Sequence, residues 1–369
     1  MNNLAWDNLR QYLRLVVSPQ AEKLDQDSKA LRSVFQGLGD RLLLALQVPQ
    51  DLGGAGFSAA EYYQATVEMA ATSGILAFLQ TQHQSAASRI ARFGNPDQQS
   101  LLPAMAQGKV RIGVGFSHLR RQGEPMLRAI PQGDSFQLTG TIPWVTGYGF
   151  FQKAIAGATL ADGSELYGLI PLETCQQPED GEISCSEPLP LAAMGASQTV
   201  TVHVENWLLS PAEVLVIQPP GTIHKGDRQQ ILHHSFFALG CAQGVLNFLE
   251  TTAFDTSDLA VLKHHWQDLH RDLFWALDQP PSEDNYHAKL QLRLIAIQTA
   301  QTFTQVAMGW AGGAGNLLTS PAQRLYREAM MFSIFGQTQV IRTATVKSLL
   351  PGKTSGYTEI SNYAGVVQW

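Results

Sequence analysis

The residues best suited to chemistry in this chain fall into three groups: a glycine-rich run, pairs of adjacent histidines, and a Trp-x-Thr step in a β-rich stretch. The run GWAGGAG, Gly309 to Gly315, clusters backbone N–H groups of the kind that hold a phosphate. A dinucleotide loop would follow a strand, open a helix and meet an acidic residue about 20 positions later. A helical pattern precedes this run instead, so it reads either as a break between helices or as a different phosphate cradle. His233-His234 and His264-His265 invite a metal reading. Adjacent residues on a helix point in different directions, and His265 with His270 is wrongly spaced for one face, so no metal site is expected. There is no G-x-S-x-G elbow, and Asp227 and Glu250 stand as lone carboxylates.

The stretch IPWVTGYG places Trp144 and Thr146 two apart, which in a strand puts both on one face. Such a pair can stack on a flat ring and donate a hydrogen bond to it, or it can belong to an ordinary core.

The elements that must carry these residues change character twice along the chain. From Leu4 to about Gly108 apolar residues recur at helical spacing, as in Leu9, Leu13, Val16 and Val17. VPQDLGGAGFS is loop chemistry, after which Ser58 with Glu61 forms a capping box. A long helix is predicted from about Ser73 to Phe93, with Asn95-Pro96 opening the next. Near Val110 the pattern turns to short β-rich segments: IGVGFSH, FQLTGTIPWVT, KAIAGATL, LYGLIPL and TVTVHV. Gln218, Pro219, Pro220 and Gly221 mark the exit, and helical patterning resumes from about Gln229 to Leu350, broken at DQPPSED and again at GWAGGAG. Helices, then strands, then helices is an α+β architecture, mainly α, and not a βαβ alternation. The expected domains are 1–109 helical, 110–218 β and 219–369 helical.

A chain of 369 residues exceeds what one core normally organises. Its net charge of −6, with basic residues scattered, argues against nucleic acid as a partner. Cys175, Cys185 and Cys241 form no C-x-x-C pair, so a reduced, cytoplasmic setting is expected. No apolar run approaches the ~20 residues of a spanning helix, and the first residues read as a helix and not a signal peptide. With 44% hydrophobic residues the C-terminal helices carry more apolar surface than one bundle hides, which predicts an oligomer.

Several of these stretches, in order over nearly the whole chain, resemble the acyl-CoA dehydrogenase family: VPQDLGGAGFS, ARFGNPDQQSLLPAMAQGKVRIGVGFS, FQLTGTIPWVTGYG, and GGAGNLLTSPAQRLYREAMMFSIFGQTQVIR with its Arg324 and Arg327. The resemblance implies FAD between the β-domain and the C-terminal helices of a homodimer or homotetramer. It places Trp144 and Thr146 against the isoalloxazine, with Ser117 close to it, and Thr338 on the cofactor. Gly312 and Gly313 would meet the adenosine diphosphate portion of a neighbouring subunit's flavin.

The departures from the family bear on function. Its proton-abstracting glutamate, just before a Gly-Thr pair, falls at Gly336, and the glycine after it becomes Gln337. The alternative glutamate position on an earlier helix falls at about Gln230. The arginine of the family's Arg-x-x-Phe-Gly motif falls at Thr251, and a frequent glutamine falls at Gly309. The loop SHLRRQGE keeps Ser117 but not the family's Gly-Ser-Asp. With adenine contacts reduced, FMN is the alternative flavin. Three functions are therefore expected. The first is an oxidoreductase on an acyl thioester, with a replacement base such as His233 or His234. The second is a flavin monooxygenase or oxidase that needs no α-proton base, and the third a non-catalytic binding protein.

Overall fold

Capping chemistry sets where the first helices begin. In the computed structural model, which describes residues 3–178 and 180–350, they are α1 (Asn3–Tyr12), α2 (Ala21–Gln26), α3 (Ser28–Gly39), α4 (Ala59–Thr72), α5 (Gly74–Phe93), α6 (Pro96–Gln99) and α7 (Leu102–Ala106). Ser58 accepts the Glu61 N–H while the Glu61 carboxylate takes the Ser58 N–H at 2.9 Å, so α4 starts on the predicted box. Ser73 caps α5, and Asn95 caps α6 with Pro96 at its first position.

One sheet follows, made of β1 (Ile112–Gly115), β2 (Leu127–Gln132), β3 (Ser135–Val145), β4 (Lys153–Thr159), β5 (Glu165–Pro171), β6 (Cys175–Gln176), β7 (Glu182–Cys185), β8 (Val200–Leu209) and β9 (Val214–Gln218). Its order is β6-β7-β8-β3-β2-β4-β5-β9, with β1 pairing parallel to β4. The five predicted β segments appear as β1, β3, β4, β5 and β8. Four strands were not anticipated. β2 alternates in burial only over residues 127–130, with exposed Ile130 breaking the apolar-in pattern and Pro131 following it, so its sequence does not read as a strand. β6 and β7 are very short, and β9 leads into the Pro-Pro-Gly exit. At Gly140 the φ is +142° and a Cβ would lie 2.1 Å from the Met126 carbonyl oxygen, so β3 bends there only because the residue is glycine.

The remaining helices are α8 (Thr222–Gln229), α9 (Ser235–Glu250), α10 (Thr256–Leu277), α11 (Glu283–Ala311), α12 (Pro321–Ile334) and α13 (Gln339–Leu349). Residues 351–369 of the expected C-terminal domain lie outside the described residues. α9 is the hub: it is apolar on most sides and packs on α4, α10, α11 and α12. Gly240 makes the α4 contact close, because a Cβ there would stand 2.6 Å from the Val67 carbonyl oxygen.

Ionic contacts then fasten the two ends of the chain together. Arg324 on α12 donates to both Glu328 oxygens at 2.9 Å and to Glu22 on α2 at 3.4 Å. Arg327 pairs with Asp25. Glu328 also accepts the Gly74 N–H at 2.9 Å, which sets a carboxylate at the start of α5.

Candidate active site

The centre of the candidate site lies where α12 ends. Phe335 closes that helix and Gly336 follows with φ +62°, a left-handed turn that favours glycine. A side chain at 336 would have no room. A Cβ built on Gly336 would stand 2.2 Å from His234 Cε1, 2.4 Å from Nδ1 and 2.6 Å from Nε2. The imidazole of His234 therefore fills the space in which a glutamate at 336 would begin.

His234 precedes α9, and its ring packs edge to face against Phe335 with centroids 4.3 Å apart and against His233 at 4.7 Å. His233 in turn stacks on Tyr62, and Tyr63 stacks on Phe236. Both imidazoles are walled by rings and remain only partly buried. Burial, with a smaller contribution from Arg293, lowers the His233 pKa to about 4. The same burial, with His233, Arg293 and Arg120, holds His234 well below the usual imidazole range. Both rings are neutral at pH 7.

Arg293, on α11, fixes this arrangement. It is 2% exposed and donates to the carbonyls of Ile231 (2.9 Å), Phe335 (2.8 Å) and Gly336 (3.1 Å), and to His234 Nδ1 at 3.5 Å. Two of those carbonyls end α12, where a cation is favourable. Burial still pulls the guanidinium down to about 10. Nearby, Arg120 binds Asp227 through two hydrogen bonds of 2.8 Å, joining the turn after Ser117 to α8. The sequence reading did not single out Arg293. A signal was present, since Arg293 interrupts the buried stripe Leu290, Leu294 and Ile297 at helical spacing.

The other anticipated residues are distributed as follows. Trp144 is 48% exposed near the end of β3. Thr146 lies one residue beyond that strand, is buried, and shares a 3.0 Å hydrogen bond with Thr199. The pairing of β3 with β8 is irregular between Ile142 and Val145, so simple alternation does not relate the two side chains. Ser117 is exposed at the start of a short turn packed on β3 and β4. Thr338 caps α13 by accepting the Ile341 N–H. Gly312 and Gly313 are exposed, and a Cβ at either meets no atom within 4 Å among the described residues. Gln230 is exposed at the end of α8. Among the described residues no three His, Cys, Asp or Glu side chains cluster to hold a metal. His265 instead pairs with Thr299 and His270 with Gln64.

Residues 3–109 match the family described as acyl-CoA dehydrogenase, N-terminal domain. Over 95% of its length the chain is similar to 3-sulfinopropanoyl-CoA desulfinase of Variovorax paradoxus, at 22% identity and covering 96% of that protein. Its fold is similar to butyryl-CoA dehydrogenase from Megasphaera elsdenii, with a TM-score of 0.75, 15% identity, and coverage of 94% of this chain and 97% of that one. It is also similar to TdsC from Paenibacillus sp. A11-2 in complex with FMN and indole, with a TM-score of 0.73, 16% identity, and coverage of 94% and 96%. Fold and comparisons together define the class, the helical–β–helical fold of the acyl-CoA dehydrogenases. Residues 3–109 carry the family's N-terminal domain, and over nearly its whole length the chain is similar to acyl-CoA dehydrogenase-type proteins.

Proposed function

We propose that this protein is a flavin-dependent enzyme acting on an acyl thioester by a reaction that takes no proton through a carboxylate at position 336. The observation that carries the reading is the His234 ring, which lies within 2.2 Å of where a side chain at Gly336 would start. The likeness to a CoA-thioester desulfinase supports it, because that relative is named for a reaction other than dehydrogenation.

The residues present fit a flavin. Trp144 offers an exposed flat face, Ser117 is exposed beside β3, and the open glycines 312 and 313 leave room for a diphosphate from a neighbouring subunit. When bound, the flavin supplies two-electron chemistry. The chain's own contribution is to stack (Trp144), to orient through Thr146, which Thr199 fixes, and to hold the cofactor near Thr338. FAD is the proposed flavin and FMN the alternative. The proposed assembly is a homodimer or homotetramer in a cytoplasmic setting.

Purified protein should be yellow, and chromatography of the acid-released chromophore identifies the flavin. Acyl-CoA thioesters should perturb its visible spectrum, while turnover with an artificial electron acceptor stays far below the roughly 1–10³ per second of efficient enzymes. A colourless protein that takes up neither flavin overturns the proposal. Oxygen consumption without any thioester response would instead identify the monooxygenase or oxidase reading.

A further inference from the structure

We propose that His234 and Arg293 turn the family's proton-acceptor position into a donor site for an oxyanion, so that the substrate bears a carboxylate-like group there. This deepens the thioester reading and rests on it only for what carries the anion.

Among the described residues the His234 ring has one polar contact, with Arg293. A guanidinium has donors and no acceptor, so the 3.5 Å contact from Arg293 requires a lone pair on Nδ1. In the neutral ring the proton then sits on Nε2. Adding a second proton at Nδ1 would aim an N–H at a cation, so the ring resists becoming imidazolium. His234 is consequently a poor base and a sound donor. Such a ring suits a ligand that presents a lone pair.

Local charge points the same way. Arg120 and Arg293 influence one another across the site, and the carboxylate nearest both is Asp227. Arg120 occupies both Asp227 oxygens. Among the described residues Arg293 has no carboxylate within ion-pair distance, and its Nε has no hydrogen-bond partner. Ser235 Oγ, next to His234 in the chain, is also buried and unpartnered. Two guanidiniums thus share one carboxylate, leaving an excess of one positive charge beside the partly exposed His234 ring. A buried charge without a counter-ion is destabilising. The α12 carbonyls offset part of that cost, and a bound anion would offset the rest.

The first test uses the full-length protein labelled with ¹⁵N-histidine, with His234 assigned by the signal lost in His234→Phe. The ring should be the neutral Nε2–H form at neutral pH. Its resonance should shift saturably with propanoate but not with propanamide. Arg293→Lys should weaken propanoate binding roughly tenfold or more, the scale of a hydrogen bond to a charged group. Should Arg293→Lys fail to fold, calorimetry on His234→Phe, which keeps the ring's bulk, should show a comparable loss. An Nδ1–H ring, an imidazolium, equal responses to both probes, or unchanged affinity in His234→Phe would overturn the proposal. The second test compares succinyl-CoA with its neutral isostere 4-methylpentanoyl-CoA, and the anionic thioester should bind more tightly. Binding of propanoate but of neither thioester would sink the thioester reading and leave the anion site supported.

Discussion

Placing a carboxylate at this turn by Gly336→Glu is expected to fail. The substitution puts a Cβ inside the His234 ring and a side chain at φ +62°. It should destabilise the fold by about 1–3 kcal/mol and leave acyl-CoA dehydrogenation undetected. Gly336→Glu with His234→Ala should recover the lost stability in part, as thermal melts of the single and double variants will show. Trp144 allows a separate test. Its ring is exposed, so Trp144→Ala should spare the fold and weaken flavin by roughly 2–10-fold, the scale of an aromatic stack of about 0.5–1.5 kcal/mol. Flavin retained with unchanged affinity would rule out its placement against the ring. The two sites were not equally legible. That the family's base position falls at Gly336 is an expectation from the resemblance, carried by the residues around Thr338. That His234 fills the gap depends on how α9 meets α12, which no local pattern encodes.

Where local chemistry is self-contained, the elements could be read in advance. Ser58 with Glu61, Ser73, and Asn95-Pro96 each satisfy a helix start from within a few residues, and the helices begin there. The strands β2 and β9 were missed because their pairing is supplied by β3 and β5 and not by their own alternation. Contacts between elements also carry a pH dependence. His83 on α5 donates from Nε2 to the Met105 carbonyl at 3.1 Å and accepts the Ile112 N–H on Nδ1 at 3.2 Å. It ties the helical domain to β1. Burial lowers the pKa of both His83 and His118 to about 4. Each folded-state value lies below the unfolded value near 6.5. The stability they contribute is therefore complete above pH ~6.5 and is lost as pH falls toward 4, by up to about 1.4 kcal/mol per histidine per unit. Urea midpoints between pH 7.5 and 4.5 should fall accordingly. His83→Gln, which keeps one donor and one acceptor, should flatten that slope.

At the scale of the whole molecule, α12 presents Tyr326, Met330 and Ile334 at i, i+4 and i+8 to solvent, with Val340, Val346 and Leu349 exposed on α13. Sedimentation should therefore find a dimer or larger assembly at micromolar concentration, and Ile334→Glu should weaken it. A monomeric native protein would contradict this. The buried ion pairs of the same helix act inward. Glu328→Ala strands Arg324 and frees the Gly74 N–H, and denaturant titration should show a loss of about 3–5 kcal/mol.

Those pairs have a consequence for how the chain is made. Arg324 reaches Glu22, and Arg327 reaches Asp25, across 302 residues in each case. At about 5–20 residues per second, the partners of Glu22 and Asp25 leave the ribosome roughly 15–60 s after them. Throughout that interval the nascent helical domain carries carboxylates without their cations, and α5 begins without the Glu328 carboxylate at its N-terminus. α4 likewise waits for α9 to cover its apolar face. Synthesis from the N-terminus cannot complete the first domain in order. The first third of this protein is translated first and finished last.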